Sequence, residues 1–117
     1  MNTKHFDDSF ELFDLKVEVH HDGKLPMVCN HPVGSYFLVS GENLEIPGKT
    51  TFPMYVLAAL IPLLPAKQRY THPNDWMSTD SDVACPDPNC GGLFRIKRVE
   101  KRIFYHHQTT ATPLKKE

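Results

Sequence analysis

This chain has little net charge, few cysteines and no long hydrophobic run, and each shortage removes a class of function. Thirteen Lys and Arg stand against 14 Asp and Glu, for a net charge of −1. Binding to nucleic acid or an anionic membrane normally needs a basic face, so neither partner is expected. The most apolar stretch, Phe52 to Leu64, is interrupted by Pro53 and Pro62. It is shorter than the roughly 20 residues that cross a bilayer. The opening Met1-Asn2-Thr3-Lys4-His5-Phe6 lacks the apolar core of a signal peptide. Three cysteines are too few and odd in number for a disulfide framework, which points to reduced thiols in a cytoplasmic protein. There is no Gly-x-Ser-x-Gly, no phosphate-cradling glycine loop and no internal repeat.

What remains is an ordinary globular balance, 40% hydrophobic and 23% charged over 117 residues, enough for one core. Residues 1–11 read as an arm, 12–108 as a single α+β domain and 109–117 as a charged tail. Phe13, Leu15, Val17 and Val19 alternate with Asp14, Lys16, Glu18 and His20, the period of a half-buried strand. Asp22-Gly23 marks its turn. Further strands are expected at Tyr36 to Val39, Leu44 to Ile46 and Leu93 to Val99, with Ile103 to His106 as a returning strand. A helix from Met54 to about Leu60 is apolar on nearly every face, which predicts cover from the sheet and from a second subunit. Thr50 or Thr51 suits its N-cap, and Pro62 should push Ile61 out of the helical region and stop it. Tyr70 to Ala84 reads as a loop. The fold class is therefore α+β, a small antiparallel sheet of four or five strands with one buried apolar helix across a face.

The chemistry concentrates in two short segments. Val83-Ala84-Cys85-Pro86-Asp87-Pro88-Asn89-Cys90-Gly91-Gly92 sets two thiols five positions apart, with prolines between them and glycines behind. Prolines stiffen such a turn, and glycines permit close backbone approach. Cys29-Asn30-His31 supplies one more thiol and an imidazole. Thiolate and imidazole are preferred zinc ligands, so Cys29, His31, Cys85 and Cys90 form a candidate tetrahedral site. Sulfur donors also suit iron. The competing reading makes Cys29 a small buried hydrophobe and Cys85–Cys90 a stiff turn only.

His72 and Asp75, in His72-Pro73-Asn74-Asp75-Trp76, are acid/base candidates if the metal keeps an open position. The plainer alternative has both capping backbone groups in a loop anchored by a buried Trp76. The pairs His20-His21 and His106-His107 would form a cluster only if their strand ends meet; solvated side chains are the alternative. Arg95, Lys97, Arg98, Lys101 and Arg102 read as a solvated strand face or an anion contact.

Cys29-x-His31-x-Val33-Gly34, the proline-containing apolar helix and Cys85-Pro86-Asp87-Pro88 together resemble a family of small uncharacterised bacterial and archaeal proteins. The likeness runs from about Leu15 to Arg98. It implies a compact α+β cytoplasmic protein in which the cysteine segments matter, and it implies no particular reaction. Family members often carry another cysteine just before the helix, where this chain has Thr50 and Thr51. That departure shifts weight onto Cys90.

The functional expectation is a small metal-binding cytoplasmic protein, zinc first and iron second, serving as a homo-oligomer or as a subunit or accessory protein of a larger enzyme. A stand-alone metal-dependent lyase, isomerase or hydrolase acting on a small-molecule substrate is the alternative. A structural oligomer without metal follows if the thiols are inert.

Overall fold

The computed structural model describes residues 7–29, 31–48 and 51–114. Residues 1–6 of the expected arm and 115–117 of the expected tail lie outside them, as does Thr50. Among the described residues the strands are β1 (Ser9–His21), β2 (Tyr36–Ser40), β3 (Asn43–Glu45), β4 (Asp82–Ala84) and β5 (Gly92–Tyr105). They form one antiparallel sheet in the order β3-β2-β1-β5-β4. Four short helices accompany it: α1 (Met54–Leu60), α2 (Leu64–Lys67), α3 (Trp76–Thr79) and α4 (His106–Thr109).

The alternation in β1 has the consequence its period requires. Leu15, Val17 and Val19 are fully buried, while Lys16, Glu18 and His20 are half-buried on the opposite face. Phe37 and Val39 of β2 and Phe94 and Ile96 of β5 join the same buried cluster, closed by Phe52, Val56, Leu60 and Leu64. Burying a side chain of this size contributes about 1.5–3 kcal/mol.

Several expectations are corrected. β5 is one strand paired with β1 along its whole length, with a register shift at Asp14/Leu15. No separate strand returns through Ile103. The reason is chemical: Val99 to Arg102 contains no Gly, Pro or Asn, so its polarity reflects exposure and not a turn. The segment after Tyr70 is likewise not all loop, since it holds α3 and β4. Trp76, expected as a buried anchor, is 70% exposed.

Helix α1 also departs from its expected burial. Val56 and Leu60, one turn apart, face the core, while Met54 is 85% and Tyr55 57% exposed. Apolar composition on every face does not create a second covering layer, and among the described residues this chain supplies none. Pro53 is the N-cap rather than a threonine, its carbonyl accepting from Leu57 N at 3.1 Å. The helix ends before Pro62 as expected, yet Ile61 keeps helical angles and another short turn, α2, follows.

At the register shift sits a buried polar bracket. Asp14, 8% exposed, accepts from Gly41 N at 2.9 Å and from Arg102 Nε and Nη2 at 2.9 and 2.7 Å. Gln68 Nε2 donates to the Gly41 carbonyl at 2.7 Å, and Phe13 N donates to the Gln68 carbonyl at 2.8 Å. The Arg102 side-chain hydrogen bond, ahead of the Gly41 amide and opposed by burial, holds the Asp14 carboxyl below its ordinary value.

Because that value is lowered on folding, the stability it brings is present above the unfolded carboxylate pKa of about 4 and fades in more acid solution. Asp14→Ala should therefore cost about 2 kcal/mol at neutral pH, since it leaves a buried amide and a guanidinium without their acceptor. Urea midpoints of the two proteins should converge as pH falls towards 2. A deficit unchanged with pH would contradict the bracket.

Candidate metal centre

Two corners meet at the end of the central strand pair. β1 ends opposite the start of β5, with His21 paired to Gly92. Gly23 then takes φ +77° in a turn whose Asp22 Oδ1 accepts from Lys24 N at 2.7 Å and Leu25 N at 3.1 Å. The chain doubles back along the other corner. Asp22 N donates to the Gly91 carbonyl and Gly91 N to the Pro26 carbonyl, both at 2.9 Å. This continuation beyond the sheet delivers Met27, Val28 and Cys29 to the turn between β4 and β5.

That turn is built by its own residues. Asp87 caps it, its carboxylate accepting from Asn89 N at 2.9 Å and its carbonyl from Cys90 N at 3.0 Å. Cys85 N donates to the Gly92 carbonyl at 3.1 Å and closes the loop. The two glycines are sterically required. A Cβ on Gly91 would collide with the Leu25 carbonyl oxygen, and one on Gly92 would stand 2.7 Å from Cys29 Sγ.

The outcome is a triangle of thiols. Cys29 Sγ lies 3.9 Å from Cys85 Sγ and 3.1 Å from Cys90 Sγ, and all three lie within 4.8 Å of one another. With zinc–sulfur bonds of about 2.3 Å, a tetrahedral site has sulfur–sulfur edges of roughly 3.8 Å. One edge already matches, and an ion would widen the Cys29–Cys90 edge by roughly 0.7 Å. These three cysteines can hold a metal ion.

The sulfurs differ in their surroundings. Cys90 Sγ accepts from the amides of Val28 at 3.2 Å, Cys29 at 3.4 Å and Gly92 at 3.4 Å. Burial raises the Cys90 thiol, but the Cys29 thiol and those amides together outweigh it and bring the value down to about 6. Burial, then hydrogen bonding to Cys90 and Cys85, pushes Cys29 up to about 12. Cys90 is thus the sulfur whose ionised form is favoured and Cys29 the one that resists ionisation, and metal ligation requires the protons on the thiols to leave.

His31 stays outside the triangle: it is not among the groups that lie within 4.8 Å of one another. It is 8% exposed, and its ring stacks on Phe52 at 4.8 Å and 18°. Phe52 in turn meets the edge of core Phe37 at 5.1 Å, so core packing locates the imidazole. His31 Nε2 is buried and has no hydrogen-bond partner among the described residues. It lines a cleft of about 380 Å³ together with Val28, Cys29, Thr51, Phe52 and Tyr55.

The chain matches no protein-family model, no curated protein and no solved structure.

The other candidates are placed elsewhere. His72 Nδ1 accepts from Asn74 N at 3.0 Å, and Asp75 caps α3 by accepting from Met77 N at 2.8 Å. Both serve backbone groups, and neither lines the cleft. His20 pairs with Glu18 at 3.0 Å and His107 with Asp8 at 2.7 Å. The antiparallel pairing puts the two histidine pairs at opposite ends of the β1/β5 ribbon, so they form no cluster. In the basic run, Arg95 pairs with Asp82, Lys97 with Glu18 and Arg102 with Asp14. Arg98 binds the carbonyls of Lys67 and Arg69. Sequence reading missed the three amides aimed at Cys90. Their one signal was the pair of glycines behind it, which permits such close approach.

Gly91→Ala should lower stability by about 2 kcal/mol, because the obstructing atom is backbone carbonyl and cannot rotate away. Chemical denaturation measures this directly. An unshifted midpoint would mean that the two corners are not joined as described.

Proposed function

We propose that this chain is a small metal-binding protein, zinc first and iron as the alternative ion, and that it works in the cytoplasm as a subunit or accessory protein of a larger enzyme. The single observation that carries the reading is the convergence of Cys29, Cys85 and Cys90 from two distant segments. Thiolates favour zinc in a tetrahedral setting and iron among redox metals, and zinc is placed first on this general ligand preference. Reduced thiols accord with a cytoplasmic setting. No helix among the described residues is long and apolar enough to cross a membrane.

The partner half of the proposal draws on exposed apolar side chains near the site. Val28, Met54 and Tyr55 are all more than half exposed, and Val28 and Tyr55 also line the cleft. Apolar groups gathered at one place mark interaction surfaces more often than apolar groups scattered singly. A second copy of the chain or a larger enzyme subunit would cover the outer face of α1.

One observation favours a second reading. Three protein ligands with an open position beside a cleft is the arrangement of catalytic rather than structural zinc. A metal-dependent lyase, isomerase or hydrolase acting on a small molecule would use that opening. His72 and Asp75 would have to move to reach it, whereas His31 already lines it.

Metal analysis of protein purified without added metal should give about one equivalent per chain. Cys85→Ser and Cys90→Ser should each lose most of that metal and lower the melting temperature, because binding and folding are coupled. Full-length, folded, reduced protein that takes up neither zinc nor cobalt would end the proposal.

A further inference from the structure

The geometry points to a ligand site at this centre for a small organic thiol, which enters by the cleft, takes the metal's fourth position as thiolate and is steadied by a hydrogen bond with His31 Nε2. The inference rests on the metal-binding reading above and deepens it. Three sulfurs are in place, and among the described residues no fourth histidine, cysteine or carboxylate joins them within 4.8 Å. A tetrahedral ion therefore takes its last ligand from outside the triangle. Cys85 and Cys90 are each 7% exposed, while Cys29 is only half-buried and lines the cleft. The accessible side of the ion is the cleft side.

The existing donors select the class of ligand. A tris-thiolate set is soft and electron-rich, which favours a fourth sulfur over a hard oxygen donor, and four-sulfur zinc is a common closed arrangement. Val28 and Tyr55, both exposed, line the cleft and can flank a short carbon skeleton. His31 supplies the polar group. Its Nε2 is buried and has no hydrogen-bond partner among the described residues, an unfavourable condition that a ligand reaching it from the cleft side would relieve. Direct coordination of His31 is disfavoured because it would break the stacking on Phe52, itself packed on Phe37. The chemical balance is a ligand exchange: the thiol's S–H bond breaks and its proton passes to solvent, a metal–sulfur bond would form in place of the bond to water at the open position, and the water leaves, with no change of oxidation state.

Cobalt-loaded, reduced protein tests this, with 2-mercaptoethanol as the probe. The expected result is a saturable rise of roughly one third in thiolate-to-cobalt charge-transfer intensity, four sulfurs replacing three. His31→Phe keeps an aromatic ring on Phe52 but removes the nitrogen. It should weaken the probe about tenfold, the equivalent of one hydrogen bond, while cobalt affinity changes less than threefold. His31→Gln, which restores a polar tip, should recover part of the loss.

Other outcomes overturn the inference in separate ways. An unchanged or falling band means that the probe does not join the centre. Loss of cobalt in both His31 variants makes His31 itself the fourth ligand. Equal probe affinity in wild type and His31→Phe removes His31 from the site. If the wild-type protein binds no cobalt, the metal reading fails first, and this inference fails with it.

Discussion

The pairing of β1 with β5 is the constraint on which everything else depends. It brings His21 against Gly92, although the two are far apart along the chain, and the pairing continues past the sheet through Asp22, Gly91 and Pro26. Sheet register has a period of two, so a slip of one residue would turn Leu15, Val17 and Val19 to solvent. The same slip would carry Cys29 away from the Cys85–Cys90 turn. The core thus enforces the register, and the register assembles the thiols. Stability and chemistry share one cause.

Backbone geometry then makes the three sulfurs unequal. Three amides converge on Cys90: those of Val28 and Cys29 from the opposing corner, which Gly91 and Gly92 allow to come close, and that of Gly92 from its own turn. Cys29, on the cleft side, is the thiol that resists ionisation, and its sulfur lies 3.1 Å from that of Cys90. An ion would therefore meet the more readily ionised sulfur on the buried side and have an open approach on the other. His31 borders that approach because Phe52 places it there, so the aromatic packing of the core reaches to the edge of the site.

Much of the fold was legible from local pattern. The alternation of Phe13 to Val19, the Asp22-Gly23 turn and the proline-bounded helix each follow from rules that act over a few residues. Three features were not legible. The polar run Val99 to Arg102 resembled a break, yet it continues a strand whose partner, β1, lies far back in the chain. Helix α1 looked buried all round, but burial depends on what else exists to cover it. Trp76 looked like an anchor, but a side chain's destination depends on where its short helix is seated, and here it faces solvent.

The site divides along the same line. Residue order alone nominated Cys29, Cys85 and Cys90, since thiols, prolines and paired glycines declare their chemistry and their turn geometry within each segment. Whether the segments meet, and whether His31 joins the sulfurs or stands beside them, is a matter of distances set by strand register and core packing. Those forces act between residues remote in the chain, and only the folded sheet brings them to bear.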